Sequence, residues 1–312
     1  MNPRLQGVYA PVLTPFHTGN GRPHTELFLH HCRWLTAQGA GLAIFGTNSE
    51  AASLSVAERM ELTDALIAGG IPASRLMPGT GACAITDAVA LTAHALSHGV
   101  PGVLAIPPFF FKGVSDDGLF AYYAELIERV GDARLAVYLY HIPQLSHAPI
   151  TMGLIERLRK RYPHNICGAK DSSGNWDNTQ AMLDAFAPDG FSVFPASESL
   201  LSRALPLGAA GCISATVNVN PAGVQALYQG WATPEGPALQ ARADRIRGIF
   251  QSTAMIPAMK AVLARASGDA AWRGVRPPLQ RLDPGAEAAL FDQLAAADLP
   301  LDGYPCVQQE AA

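Results

Sequence analysis

Short apolar runs alternate with longer amphipathic stretches along residues 1–215 of the chain. Most runs are apolar on consecutive residues, which is typical of strands that are covered on both faces. We predict eight strands, at residues 7–14, 41–45, 76–79, 102–106, 136–140, 166–170, 192–196 and 211–215. The stretches between them have helical spacing. We predict helices at residues 25–38, 55–68, 86–98, 116–130, 151–162, 178–186 and 198–207.

Strands that alternate with helices predict a parallel sheet, and eight of them match the (β/α)₈ barrel, which takes roughly 250 residues. The rival is a doubly wound open sheet, which often has a glycine-rich phosphate turn after its first strand. The first strand here ends Leu13-Thr14-Pro15-Phe16, without such a turn. We therefore predict the α/β class and a TIM (β/α)₈ barrel over residues 1–220. Residues 221–312 are predicted to form a C-terminal helical extension that packs on the barrel as part of a single structural unit.

The composition of the chain excludes several classes of protein and partner. The 312 residues are 49% hydrophobic and only 15% charged, which allows a large core and further burial against copies of the same chain. A net charge of −4 gives no electrostatic case for a nucleic acid or an anionic membrane as partner. No apolar run has the length of a membrane span, and the amino terminus lacks a signal-peptide core. Five cysteines without CxxC spacing argue against a disulfide framework, so we expect a cytoplasmic protein.

Candidate catalytic side chains come at the ends of the predicted strands, because the active site of a (β/α)₈ barrel lies there. The fifth and sixth strands end at Tyr140 and Lys170, and Phe110 follows the fourth. Ser197 and Glu198 follow the seventh. These strand ends carry no cluster of histidines and carboxylates suited to a metal, so we predict neither a metal nor another cofactor.

Histidines on the predicted helices do not change this expectation. His94 and His98 have i,i+4 spacing, but no HExxH glutamate accompanies them, so we interpret them as one face of a helix. His30 and His31 lie in a helical pattern without a matching pair of ligands.

Lys170 ends an apolar run, where a lysine is costly unless it is paired or reactive. In the structural interpretation, it forms a salt bridge with Asp171 or extends to solvent. In the functional one, desolvation favours the unprotonated amine, which attacks a carbonyl to form an imine. The protonated imine is an electron sink, so carbon–carbon bonds can be made or broken without a metal. Tyr140 is a suitable proton shuttle for that chemistry.

The segment Gly46-Thr47-Asn48-Ser49-Glu50 joins the second strand to the next helix. It can be a capped strand–helix turn and nothing more. Alternatively, its backbone N–H groups and the side chains of Thr47, Asn48 and Ser49 form an anion pocket for a small carboxylate. A 2-oxo acid such as pyruvate has both the carbonyl and the carboxylate that this layout would hold.

These strand ends resemble the motifs of the dihydrodipicolinate synthase / N-acetylneuraminate lyase family. Residues 46–50 resemble its GTTGE motif, Tyr140-His141-Ile142-Pro143 its YNxP, and residues 168–172 its GxKD/ES. Residues 208–214 are similar to its GAxGxIS turn, and Arg276-Pro277-Pro278-Leu279 to its C-terminal signature. The correspondence is collinear from about residue 7 to residue 297. It implies a TIM barrel with a C-terminal helical extension, usually a dimer of dimers, whose lysine forms a Schiff base with pyruvate or a related 2-oxo acid.

By this resemblance Lys170 is the Schiff-base lysine and Tyr140 the proton shuttle. Thr47 and Asn48 hold the carboxylate and help to relay protons, and Ile213 lines the pyruvate site. The predicted site therefore has catalytic residues Lys170, Tyr140 and Thr47, and substrate-binding residues Asn48, Ser49, Ile213, Phe110, Ser197 and Glu198.

The chain departs from both namesakes of the family on the rim of the site. The synthase has two tyrosines after its fourth strand, the second of which enters the partner's site, whereas this chain has Phe109 and Phe110. Asn48 replaces the second hydroxyl of the motif, so the proton relay is interrupted. The synthase arginine after YNxP is absent from residues 143–146, and the lyase's sugar-binding Gly-x-Asp-Glu reads Ala-Ser-Glu-Ser at residues 196–199.

The resemblance and the departures together predict a Schiff-base lyase or aldolase that acts on pyruvate or a 2-keto-3-deoxy sugar acid. A dehydratase of such acids is an alternative, because both reactions begin from the same iminium ion. A 4-hydroxy-tetrahydrodipicolinate synthase and a non-catalytic barrel that binds an oxo acid are the remaining alternatives. The expected partners are a small 2-oxo acid and further copies of the chain.

Overall fold

A computed structural model of the chain describes residues 4–297 together with residues 299 and 304. Seven β-strands lie within these residues: β1 (Gly7–Ala10), β2 (Gly41–Leu42), β3 (Val103–Ala105), β4 (Val137–His141), β5 (Ile166–Asp171), β6 (Ser192–Pro195) and β7 (Gly211–Ile213). All pairs are parallel: β1 lies between β2 and β7, and β3 to β6 pair in chain order. The Ala210 N–H donates to the Val193 carbonyl at 2.9 Å, which joins β6 to β7.

Residues 76–79 fill the remaining gap in the ring, between β2 and β3. Leu76 forms a single parallel bridge with Leu42, and Gly79 forms one with Leu104. The predicted third strand is reduced to these bridges, because Pro78 has no N–H to donate to a ladder. The predicted α/β barrel is thereby confirmed, with eight parallel segments in chain order around one ring.

The helices lie between successive barrel segments and beyond the last of them: α1 (Thr25–Ala37), α2 (Val56–Ala68), α3 (Ile85–Ser97), α4 (Asp116–Val130), α5 (Pro143–Ser146), α6 (Met152–Arg161), α7 (Trp176–Phe186), α8 (Leu201–Ala204), α9 (Pro221–Gly230), α10 (Gly236–Gln251), α11 (Met255–Ser267) and α12 (Pro284–Ala296). A capping box starts α2: Ser55 Oγ accepts from the Glu58 N–H at 3.1 Å, and the Glu58 carboxylate accepts from the Ser55 N–H at 2.9 Å. The helix predicted at residues 198–207 is instead α8 between two 3₁₀ segments, because Pro206 cannot continue an α-helix.

Alternation along the strands separates the barrel interior from the helix-covered outside. On β4, Val137 and Leu139 belong to the apolar cluster under the helices, whereas Tyr138 and Tyr140 belong to a separate cluster inside the ring. Gly168 on β5 makes room for this interior, because a Cβ there would lie 2.6 Å from the Tyr138 ring. The interior is therefore packed with aromatic side chains, two of which are phenols on one strand.

The C-terminal helices pack against the barrel through a common apolar cluster. Leu13, Leu27 and Val219 share this cluster with Phe250 of α10 and with Trp272, and all five are buried. The division of the chain at residue 220 stays a prediction. Among the described residues, no helix is long and apolar enough to cross a membrane.

Candidate active site

Lys170 lies inside the barrel, near the carboxyl end of β5. Ala169 faces the helices, so alternation along the strand turns Lys170 to the interior. The parallel register places Lys170 directly beside Tyr140 of β4. Its amine lies 4.3 Å from the centroid of the Tyr140 ring, and the residue is 3% exposed. An amine and a phenol are therefore held together in the interior, as the sequence predicts.

The Tyr140 hydroxyl extends this pair toward the turn after β2. It lies 3.0 Å from Thr47 Oγ1, so the three predicted catalytic side chains form one contiguous group. Burial raises the pKa of Tyr140, but the charge of Lys170 and the hydrogen bond with Thr47 outweigh that effect, and the pKa lies below its ordinary value of 10.0. A phenol with a lowered pKa releases its proton more readily, which suits a group that exchanges protons with a reacting amine.

The turn at residues 46–50 is held in a strained conformation. Phe45, which precedes the turn, and Glu50, its last residue, have φ angles of 60° and 56°. A non-glycine residue in this region is uncommon, and such strain clusters at functional sites. This conformation also requires a glycine at position 79 on the adjacent segment, because a Cβ there would lie 2.2 Å from the Phe45 carbonyl oxygen.

The backbone of this turn offers donors to an anion. Within the part of the chain that the structure describes, the N–H groups of Thr47 and Asn48 donate to no protein acceptor. Ser49 differs from Thr47 and Asn48, because it is fully buried and its hydroxyl accepts a hydrogen bond from the Gly46 N–H at 3.3 Å. Its carbonyl accepts from the Thr14 hydroxyl at 2.8 Å. Ser49 thus stabilises the turn, while Thr47 and Asn48 present its open donors.

Glu198 is fully buried behind the end of β7. Its carboxylate accepts hydrogen bonds from the hydroxyls of Ser214 and Thr216, and it pairs with Arg247 of α10 at 3.0 Å. Both carboxylate oxygens are therefore engaged by protein donors. Ser197 is half-buried, and its hydroxyl accepts from the Ser199 N–H at 3.2 Å. The structure accordingly gives Glu198 a role in joining α10 to the barrel.

The two predicted apolar site residues lie in contrasting environments. Ile213 is 1% exposed and belongs to the same interior cluster as Tyr140. Phe110 is 75% exposed at the rim, where its ring packs edge-on against Phe111. The structure thus brings Ile213 to the interior side of the predicted site, and it leaves Phe110 outside.

A cavity of about 290 Å³ opens next to the catalytic group, close to the lower end of the usual range for ligand sites. Thr47 and Tyr140 line it, together with these residues: Phe45, Gly46, Glu50, Ala51, Ala52, Ser53, Arg59, Gly79, Gly81, Leu104, Ile106, Phe109, Leu145, Ile256, Pro278 and Leu279. No sequence pattern marks Arg59 and Ile256, which reach the cavity only through the fold. Pro278 and Leu279 belong to the C-terminal motif at residues 276–279.

A buried lysine of the C-terminal extension holds the turn in place. Lys260 of α11 is fully buried, and its ammonium group donates to the Glu50 carboxylate and, at 2.6 Å, to the Gly274 carbonyl. The other Glu50 oxygen accepts from the Arg276 N–H at 2.9 Å. Burial lowers the pKa of Lys260 to about 8, against the opposing effect of the Glu50 charge. The sequence indicates such a pair, because Lys260 lies in an apolar helix and a buried lysine needs a partner of opposite charge.

Arg276 reinforces the same attachment. Its guanidinium forms a two-point contact with the Glu58 carboxylate and donates to the Ser53 carbonyl at 2.6 Å. The hydrogen bonds from Arg276 are the main cause that lowers the pKa of Glu58 to about 2. Since Glu50 and Glu58 flank residues 51–57, the extension is hydrogen-bonded to both ends of the segment that follows the turn after β2.

Comparisons with known proteins give one consistent result. The chain matches the model of the dihydrodipicolinate synthetase family over residues 4–297. It is 33% identical over 300 residues to an uncharacterized DapA-like lyase of Chloroflexus aurantiacus, covering 95% of this chain and 99% of that protein. It is 31% identical over 303 residues to a 4-hydroxy-tetrahydrodipicolinate synthase of Thermus thermophilus, covering 92% and 94%. The crystal structure of dihydrodipicolinate synthase from Agrobacterium tumefaciens superimposes with a TM-score of 0.85 at 29% identity, covering 94% and 99%.

Proposed function

The chain belongs to the dihydrodipicolinate synthetase family, whose members are lyases of the class I aldolase type, and on that premise we propose that Lys170 forms a Schiff base with a 2-oxo acid. The observation that carries the proposal is the position of the Lys170 amine, buried beside Tyr140, whose hydroxyl contacts Thr47. The turn after β2 supports it, because its Thr47 side chain contacts Tyr140 and the N–H groups of Thr47 and Asn48 have no protein acceptor among the described residues, which suits a carboxylate.

The chemistry follows from these positions. The unprotonated amine of Lys170 attacks the 2-oxo carbon, and Tyr140 relays one proton from the attacking nitrogen to the oxygen. Tyr140 then donates its own proton to that hydroxyl, which leaves as water and gives the iminium ion. The Tyr140 phenolate takes the proton of the hydroxyl on carbon 4. The bond between carbons 3 and 4 then breaks and sends its electron pair toward the iminium nitrogen, which gives an enamine and releases carbon 4 as an aldehyde. A proton added to carbon 3 and a water molecule then return pyruvate and the free amine. In the reverse direction the enamine attacks an aldehyde and forms the same bond.

We propose pyruvate or a 2-keto-3-deoxy sugar acid as the 2-oxo acid. A screen of pyruvate release over keto-deoxy sugar acids, 4-hydroxy-2-oxoglutarate and N-acetylneuraminate tests this. Release from at least one keto-deoxy acid, lost on substitution of Lys170, supports the proposal. Saturable binding of these acids without any turnover indicates instead a barrel that only binds an oxo acid, and water loss without pyruvate release indicates a dehydratase.

The Tyr140 hydroxyl supplies a sharper test of the mechanism. Tyr140→Phe is expected to lower kcat by about 10²-fold, the lower end of the range for a general acid–base group, with a smaller change in KM. Steady-state pyruvate release is the measurement. Tyr138→Phe is the matched control: its hydroxyl, on the same strand and in the same interior, accepts from the Leu5 N–H at 2.9 Å. Equal losses in both variants would show that the interior is merely disturbed.

The names of relatives favour a second candidate function, that of a 4-hydroxy-tetrahydrodipicolinate synthase. We expect negligible condensation of pyruvate with aspartate semialdehyde, because Phe109 and Phe110 lack the hydroxyls that the synthase relay uses and Asn48 interrupts it. A coupled assay beside the Thermus thermophilus enzyme is the measurement. Turnover similar to that of the Thermus enzyme would make this chain a synthase despite its broken relay.

We also propose that the enzyme works in the cytoplasm as a dimer of dimers. Among the described residues, Cys32, Cys83, Cys167 and Cys212 carry free thiols, which supports a reducing compartment. The exposed Phe110 and the 54% exposed Phe111 support burial of the rim against a second copy. Sedimentation velocity of the chain measures its assembly.

A further inference from the structure

Three potential metal ligands converge on the outer surface of the barrel, on α2 and α3. Asp64 Oδ1 lies 2.9 Å from His94 Nε2 and 2.6 Å from His98 Nε2. The ligand atoms of all three side chains lie within 4.8 Å of one another. Two imidazole nitrogens and one carboxylate oxygen therefore point to a common position.

The local fold explains this convergence. His94 and His98 are four residues apart at the end of α3, so they occupy one face, and Asp64 comes from the neighbouring helix α2. His98 is the C-cap residue of α3. The carboxyl end of a helix carries a partial negative charge, which favours a cation beside it.

The chemistry of the donors selects a class of ion. Neutral imidazole and carboxylate together suit divalent transition metals such as zinc and copper, and a catalytic-type zinc site has three protein ligands with water in the fourth position. Ligand atoms in tetrahedral zinc sites lie about 3.3 Å apart, given bonds of about 2.0–2.1 Å. The Asp64–His94 and Asp64–His98 separations of 2.9 and 2.6 Å are shorter than that value by about 0.4 and 0.7 Å, so the side chains move apart slightly when the ion binds. The side chains are 54%, 21% and 26% exposed for Asp64, His94 and His98, so an ion can enter from solvent.

We propose that Asp64, His94 and His98 bind one divalent transition-metal ion of the zinc or copper class. The position is remote from Lys170, because only residues 99–102 separate His98 from the amino end of β3, whereas Lys170 lies near the carboxyl end of its strand. The ion replaces the two contacts between histidine and aspartate and links α2 to α3. It takes no part in the proposed reaction at Lys170.

Metal titration of the metal-stripped, full-length chain without an affinity tag tests this site. We expect one Zn²⁺ per chain by calorimetry, and Cu²⁺ with an electron paramagnetic resonance signal that shows coordinated imidazole nitrogens. The double variant His94→Gln/His98→Gln is expected to weaken the affinity at least about tenfold, since even loss of an outer-shell partner costs that much. Zn²⁺ is also expected to raise the melting temperature of the wild type and not that of the variant.

The control carries His17→Gln and His164→Gln, which remove two exposed histidines elsewhere on the surface. It is expected to bind the ion as the wild type does. Equal affinity in the His94/His98 variant, or loss of binding in the control, would overturn the proposal. A metal-free circular dichroism spectrum of each variant shows that it is folded. The amine chemistry of Lys170 is measured separately, without metal, so failure of either proposal leaves the other standing.

Discussion

Lys170→Met is expected to abolish turnover of every 2-oxo acid substrate, with a loss of at least about 10³-fold in kcat. Methionine has a similar length and keeps the side chain apolar, so the barrel interior stays filled. It has no amine, so no covalent intermediate can form and the electron sink is lost. Steady-state pyruvate release from the best substrate of the screen is the measurement.

The controls for this variant separate chemistry from folding. Lys160→Met removes an exposed lysine on α6 and is expected to leave the rate unchanged. Lys170→Arg keeps a positive charge beside Tyr140 but offers no amine nucleophile, so it is expected to be as inactive as Lys170→Met. An active Lys170→Arg variant would mean that charge alone is needed, and the covalent mechanism would be wrong.

Lys260→Met is expected to have the largest effect on stability, lowering the free energy of unfolding by about 3–5 kcal/mol. The substitution leaves the Glu50 carboxylate buried without its ammonium partner, and the strained turn after β2 loses its attachment to α11. Because that turn carries Thr47, kcat is expected to fall even where the variant is folded. Urea denaturation and pyruvate release measure the two effects.

A double-mutant cycle with Glu50→Gln tests whether the unpaired Glu50 carboxylate causes the loss of stability in Lys260→Met. When both groups of the pair are removed, no buried charge is left unpaired, so the double variant is expected to be more stable than Lys260→Met alone. Arg129→Met, which breaks the exposed pair with Glu125 on α4, is expected to leave the urea midpoint almost unchanged. Additive losses in the cycle would show that Lys260 and Glu50 do not depend on each other.

The sequence predicted the barrel well because each strand is a local apolar run. The run predicted at residues 166–170 is observed as Ile166–Asp171, and the helix predicted at residues 116–130 has those bounds. The first strand was predicted to reach residue 14, but β1 ends at Ala10, before Pro11 and Pro15, which lack N–H groups for a ladder. Patterns of hydrophobicity therefore located the elements, and proline determined where their regular hydrogen bonding stops.

The candidate site was only partly predictable. Lys170 and Tyr140 lie near the carboxyl ends of their strands, and Thr47 lies in the turn after β2. Strand ends of a parallel barrel meet at one rim, so the proximity of these residues followed from the predicted fold. The partners of Glu198 did not follow, because Arg247 lies 49 residues further along the chain. Arg59 and Ile256 likewise reach the cavity through helix positions that no local pattern reveals. These neighbours of the site come from segments far apart in the sequence. Local hydrophobic patterns in one sequence do not predict which distant segments meet.

Borohydride reduction in the presence of pyruvate, followed by peptide mass spectrometry, tests directly whether Lys170 forms a Schiff base. The chain has four lysines, Lys112, Lys160, Lys170 and Lys260, so the modified position can be assigned without ambiguity. We expect a reduced pyruvate adduct on Lys170, none on the other three lysines, and none in Lys170→Met. A folded chain that gives no adduct, or an adduct on another lysine alone, would contradict it.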